Sequence, residues 1–103
     1  MNAVRHHRPA RREGVWLRRA GAEVVLYDSQ SSRVHLVNDA AAAIWDLCDG
    51  DTEPAEMIEA ICQLSGMPRP IVVEDVERIL NEFTTAGLIT WAEDSQRPSE
   101  PPE

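Results

Sequence analysis

Arg33-Val34-His35-Leu36-Val37-Asn38-Asp39-Ala40-Ala41-Ala42-Ala43-Ile44-Trp45-Asp46-Leu47-Cys48 decides the fold, because the hydrophobic pattern changes period inside it. Arg33 to Val37 reads as a short β-strand. From Ala41 onward the apolar positions Ala41, Ile44, Trp45 and Cys48 recur at helical spacing. Asn38 or Asp39 stands at the switch, and either side chain can accept the free N–H groups of a helix's first turn. A strand therefore runs straight into a helix.

Upstream of that point the chain carries two more strand signals. Val15-Trp16-Leu17 and Glu23-Val24-Val25-Leu26-Tyr27 are β-rich, and Ala20-Gly21 between them supplies the positive φ of a tight hairpin. Asp28-Ser29-Gln30-Ser31-Ser32 is a loop, since all five side chains compete for backbone hydrogen bonds. Three strands joined by short loops predict an antiparallel meander. Downstream, Asp49-Gly50-Asp51 stops the first helix. Thr52 can cap a second, with Pro54 in its first turn and Ile58, Ile61 and Cys62 facing inward. Ser65 to Pro70 breaks the chain again. Val72, Val76, Ile79, Leu80 and Phe83 then fall on one stripe of a third helix, which Gly87 closes. Leu88 to Trp91 reads as a closing strand or an extended tail. The order predicts an α+β domain, winged-helix-like, with a three-stranded antiparallel sheet followed by three helices.

The ends differ from the middle. Residues 1–13 are rich in Arg and His with few apolar groups, and residues 92–103 place Pro98, Pro101 and Pro102 among acids. Neither segment can bury enough apolar surface to offset ordering entropy, so both are expected to be disordered. The folded body is then Gly14 to Trp91, 78 residues, close to the lower limit for a self-sufficient core. At 103 residues, 43% hydrophobic and 27% charged, the chain has the make-up of one soluble domain. It contains neither an apolar run of membrane-spanning length nor a basic-then-apolar leader, and its expected location is the cytoplasm.

The net charge of −8 is unevenly distributed. Residues 1–19 hold six arginines against the single acid Glu13, a local charge of +5, while the remainder carries −13. An acidic body repels polyphosphate, so cationic or neutral peptides suit it better than DNA.

Little in the sequence suggests catalysis. His6 and His7 lie on the N-terminal arm, and His35 has no acid or cysteine beside it in sequence. Cys48 and Cys62 fall on the inward stripes of their helices, where a thiol behaves as a small hydrophobe, and they have no zinc-ligand spacing. The five glycines are scattered singly, so no phosphate-cradling loop exists. No catalytic residue, metal or cofactor is assigned.

Binding fits the pattern better. A meander has two edges, and the first strand ends in Arg18-Arg19, charges that discourage pairing. The third strand, Arg33 to Val37, has one charge and no proline, so its free N–H and C=O groups can accept an added strand. A groove between that strand and the third helix would offer backbone hydrogen bonds on one wall and apolar pockets on the other.

From Arg8 to Ile89 the sequence also resembles the PqqD-like family, the RiPP recognition elements that hold the leader of a ribosomally made precursor peptide for its modifying enzymes. The resemblance is carried by Arg8-Pro9 ahead of Gly14-Val15-Trp16-Leu17 and by Val37-Asn38-Asp39 running through Ile44-Trp45 to Asp49-Gly50. Asp75-Val76, Ile79-Leu80, Phe83 and the closing Ala86-Gly87-Leu88-Ile89 complete it. Val37 stands where the family commonly shows Leu, and the N-terminal arm and acidic tail lie outside the match.

The resemblance implies the same groove, with the leader added beside the third strand and lying against the third helix. It places Arg33, Val34, His35, Leu36 and Val37 on the strand wall and Asp75, Val76, Ile79, Glu82 and Phe83 on the helix wall. Asp75 and Glu82 would receive a cationic leader residue. The implied partners are a precursor peptide and a separate modifying enzyme, such as a radical SAM enzyme or a leader peptidase. Two other readings compete. One is a winged-helix nucleic-acid-binding protein, opposed by Glu74, Asp75, Glu77 and Glu82 on the third helix against Arg78. The other is a self-assembling dimerisation module that pairs the same edge with its own copy.

Overall fold

The structure, a computed structural model, describes residues 7–93, with side chains placed from Arg8 to Trp91. The expected three-stranded sheet is present as β2 (Val15–Ala20), β3 (Glu23–Asp28) and β4 (Arg33–Val37), antiparallel and in that order. Gly21, at φ 63°, makes the tight β2–β3 turn that an L side chain would strain. Register sets Leu26 opposite both Leu17 and His35, so Val24 and Leu26 of the middle strand face inward and are buried.

Helix α1 (Asp39–Leu47) follows at once, and Asn38 is its cap: the Asn38 Oδ1 accepts from the Ala41 N–H at 2.8 Å. Helix α2 (Pro54–Ser65) begins one residue later than expected. Glu53, not Thr52, is its cap, forming a reciprocal box in which the Glu53 N–H donates to the Glu56 carboxylate. Thr52 is occupied elsewhere, its hydroxyl and N–H both donating to the Asp49 carboxylate. Helix α3 (Arg69–Thr85) starts inside the expected break, because Pro70 in a first turn costs no hydrogen bond. Its stripe Val72, Val76, Ile79, Leu80 and Phe83 is buried against Leu26, Ile44, Trp45 and Met57. Trp45 meets Phe83 edge to face at 5.7 Å between ring centroids.

One correction concerns the N-terminal arm. His7–Arg11 forms a strand, β1, which pairs antiparallel with β5 (Ile89–Glu93) in a separate two-stranded ribbon, Pro9 opposite Trp91. The folded body thus begins before Gly14 and runs two residues past Trp91. The Arg-rich composition hid this strand because its partners are distant in sequence. On its other side the Arg11 N–H donates to the Cys48 carbonyl and the Gly50 N–H to the Pro9 carbonyl. The expectations for His6 and the rest of residues 1–6, and for the acidic tail from Asp94 on, lie outside the described residues.

Two arginines lock the ribbon to the rest. The Arg11 guanidinium donates to the Trp45 and Asp46 carbonyls at the C-terminal end of α1, where a cation also complements the helix dipole. Arg12 donates to the carboxylate of the buried Asp28 at 2.6 Å, to Gln30 and to the Gly87 carbonyl, tying the meander to the α3–β5 turn. Burial works to raise the Asp28 pKa. The Ser31 hydroxyl, the Gln30 N–H and the Arg12 guanidinium outweigh it and hold the carboxyl below its ordinary 3.8.

Candidate functional site

Strand β4 has one neighbour, β3, so its other edge is unpaired among the described residues. Leu88 to Trp91 does not fill that edge, since the closing strand pairs with β1. The β4 side chains alternate as a half-buried strand requires. Arg33, Val34 and Leu36 are exposed, while His35 and Val37 turn inward and are half-buried. Nε2 of His35 is buried and has no hydrogen-bond partner among the described residues. A buried polar atom left unpaired costs on the order of 1–3 kcal/mol.

Beyond the end of β4, helices α1, α2 and α3 enclose a pocket of about 300 Å³. Ala40, Ala43 and Ile44 form one wall, Ile61, Leu64 and Met67 a second, and Val72 and Val76 a third. Asp39 and Asp75 bring carboxylates to it. Leu64 is 83% exposed and Met67 43%, which leaves apolar side chains at its mouth in contact with water. The pocket therefore suits an apolar side chain, with charge at its border for a cation. Sequence reasoning missed Leu64 and Met67. Their signal was two large apolar residues in or beside the Ser65 to Pro70 break, where a solvated loop carries none.

The helix-wall residues separate into two groups. Asp75 is half-buried and accepts from Arg78 at 2.9 Å, and Glu82 is exposed. Val76, Ile79 and Phe83 are 0%, 3% and 4% exposed. Ile79 and Phe83, like Val76, are members of the buried core cluster. The physical reason is the stripe itself: five apolar residues at i, i+4, i+7, i+8 and i+11 make the face that the meander and α1 need. Val76 alone of the three also lines the pocket.

Cys48 is fully buried, and burial pushes its thiol up to about 12, far from a reactive thiolate. Cys62 is half-buried. Among the described residues no group of His, Cys, Asp or Glu is arranged to hold a metal ion, and no helix is long and apolar enough to cross a membrane.

Two solved structures share this fold. TbiB1, determined in complex with the TbiA(beta) leader peptide, is 22% identical with a TM-score of 0.67, covering 86% of this chain and 99% of its own. Lasso peptide synthetase B1, complexed with the leader peptide, is 18% identical with a TM-score of 0.70, covering 81% and 98%. No curated protein matches the sequence at a significant level. The family model for coenzyme PQQ synthesis protein D (PqqD) matches residues 23–89, well over half of the chain, from β3 to the start of β5. The sheet edge, the three helices and this match agree, and the chain belongs to the PqqD family.

Proposed function

We propose that this protein is a non-catalytic adaptor that binds the leader segment of a ribosomally made precursor peptide and presents it to a separate modifying enzyme. The observation that carries the reading is the unpaired edge of β4 leading to an apolar pocket at the head of α1. A peptide in extended form would continue the β2-β3-β4 sheet, its backbone satisfying the free edge. One apolar side chain would enter the pocket between Ala43, Leu64 and Val72, and a cationic neighbour would meet Asp39, Asp75 or Glu82. His35 and Val37 lie on the inner side of the strand, Val34 and Leu36 on the outer. Both similar structures hold leader peptides, which supports the same class of ligand here.

Nucleic acid is a poor ligand for this surface. Arg69 and Arg78, the two cations of α3, are both paired with carboxylates, Arg78 with Asp75 and Glu82, and Glu74 and Glu77 add further negative charge that repels phosphate.

Fluorescence anisotropy with labelled leader peptides encoded beside this chain, and a DNA duplex as control, tests the reading. Leader binding with a flat DNA curve is expected. Strand addition makes a sharper demand: only every second N–H of the peptide faces β4. Methylating the leader's backbone nitrogens one at a time should weaken binding by about tenfold at alternate positions, and little between them. A uniform response along the peptide would rule out strand addition.

A further inference from the structure

The outward face of the meander carries a surface that the pocket and the inner side of β4 do not use. Side chains alternate along a strand, so the register sets Trp16, Tyr27 and Val34 in one row across three strands and Arg18, Val25 and Leu36 in the next. Trp16 is 51% exposed, Val34 59% and Leu36 69%. The Trp16 ring stacks on Tyr27, centroids 6.1 Å apart and planes 20° from parallel, so the two present one broad plate. Beside them Arg18, Arg19 and Val25 border a shallow depression that reaches Tyr27 and Val34. Exposed apolar residues taken singly are ordinary, but two aromatics and three aliphatics in adjoining rows form a patch. Trp, Tyr and Arg are also the residues that dominate binding energy at protein interfaces.

Charge identifies the occupant. Arg8, Arg12, Arg69 and Arg78 each pair with a carboxylate, and Arg11 donates to the end of α1. Arg18 and Arg19, which border that depression, have no such partner among the described residues. In a chain of net charge −8, cations left unpaired beside an apolar plate select a partner with an acidic rim. A second copy docking face to face would bring these arginines toward their own counterparts, which like charges oppose.

We propose that the outward face of β2-β3-β4 is a docking surface for a folded protein whose contact patch is apolar at its centre and acidic at its rim, and that this protein is the modifying enzyme. Naming the enzyme rests on the adaptor reading; the chemistry of the face does not. A leader strand added to β4 would contribute alternate side chains beside Val34 and Leu36, so the enzyme would meet adaptor and leader on one continuous sheet.

The test titrates the modifying enzyme encoded beside this chain against the full-length protein, with leader affinity measured in parallel. Trp16→Ala and the double variant Arg18→Glu/Arg19→Glu should each weaken enzyme binding by about tenfold or more. Leader affinity should stay within about twofold, because neither substitution touches the β4 edge or the pocket. The charge variant covers the case in which loss of the Trp16–Tyr27 stack loosens the sheet. Enzyme binding that is absent in the wild type, or unchanged in both variants, overturns the proposal. So does a wild-type dimer that the variants dissociate, which would give the face to a second copy. If the enzyme binds through this face and the leader does not bind at all, the docking surface stands and the adaptor reading fails.

Discussion

The dipeptide Arg-Arg occurs twice, at residues 11–12 and 18–19, seven positions apart and in similar company. The structure treats the two pairs in opposite ways. Arg11 and Arg12 are bound to carbonyls at the end of α1, to Asp28, to Gln30 and to Gly87, and they hold the β1–β5 ribbon against the meander. Arg18 and Arg19 sit on the edge strand β2 with no carboxylate partner among the described residues. Identical side chains thus serve the interior of the fold at one site and its surface at the other. Location decides between them: the first pair lies where three elements end together and leave backbone groups unpaired, the second where a strand faces water.

The contrast breaks first at Arg12. Arg12→Ala deletes the side-chain bonds to Asp28, Gln30 and Gly87 and leaves the Asp28 carboxylate, 4% exposed, without its cation. Thermal unfolding followed by circular dichroism should show a melting temperature lower by roughly 10 °C. A shift of only a degree or two would mean that the pair is solvated in practice and that the two Arg-Arg sites are alike.

Acid probes the same contact from the other side. The Asp28 carboxyl is held below 3.8, and so is Asp49, chiefly by the Asp51 N–H that its carboxylate accepts. A group whose pKa is lower folded than unfolded adds stability that is complete above the unfolded value and fades as pH falls through the folded one. Stability should therefore begin to drop as the pH is taken below about 3.8. Asp28→Asn should lower stability at neutral pH and flatten part of that acid slope, as read by denaturant titrations at stepped pH. An unchanged slope would place the acid sensitivity at Asp49 or elsewhere. A smaller effect is expected at Arg11. Removing its bonds to the α1 carbonyls by Arg11→Ala should cost about 1 kcal/mol.

These contacts also show what the sequence could disclose. The meander and the first and third helices were legible because each writes a local period: alternation in Arg33 to Val37, and the i, i+4, i+7 stripe in Val72 to Phe83. Strand β1 was not legible, since Arg8-Pro9-Ala10-Arg11 has the composition of a tail and gains its order from Cys48, Gly50 and β5. The cap of α2 moved from Thr52 to Glu53 because Asp49 claims the threonine. For the site, the exposed edge of β4 could be read from charge and the absence of proline. The depth of α3 could not: periodicity shows that Ile79 and Phe83 share a face, and only packing shows that the core consumes it. The pocket is assembled from three helices, and no local pattern marks a space between elements.

The smallest expected effect is the one that sharpens the comparison most. Arg18→Ala and Arg19→Ala remove exposed cations that hold no carboxylate, so each should change stability by less than about 0.5 kcal/mol. Surface arginines also cover apolar area with their stems, and the Arg18 side chain lies in the row of Val25 and Leu36, so a slight loss is more natural than a gain. Should either variant prove as damaging as Arg12→Ala, the meander arginines would be part of the folding framework. Their freedom could then no longer be taken as a sign of a waiting partner. A silent result in denaturation, set beside a lost contact with the modifying enzyme, would separate the two Arg-Arg pairs by function: one selected for holding the chain together, the other for what it presents.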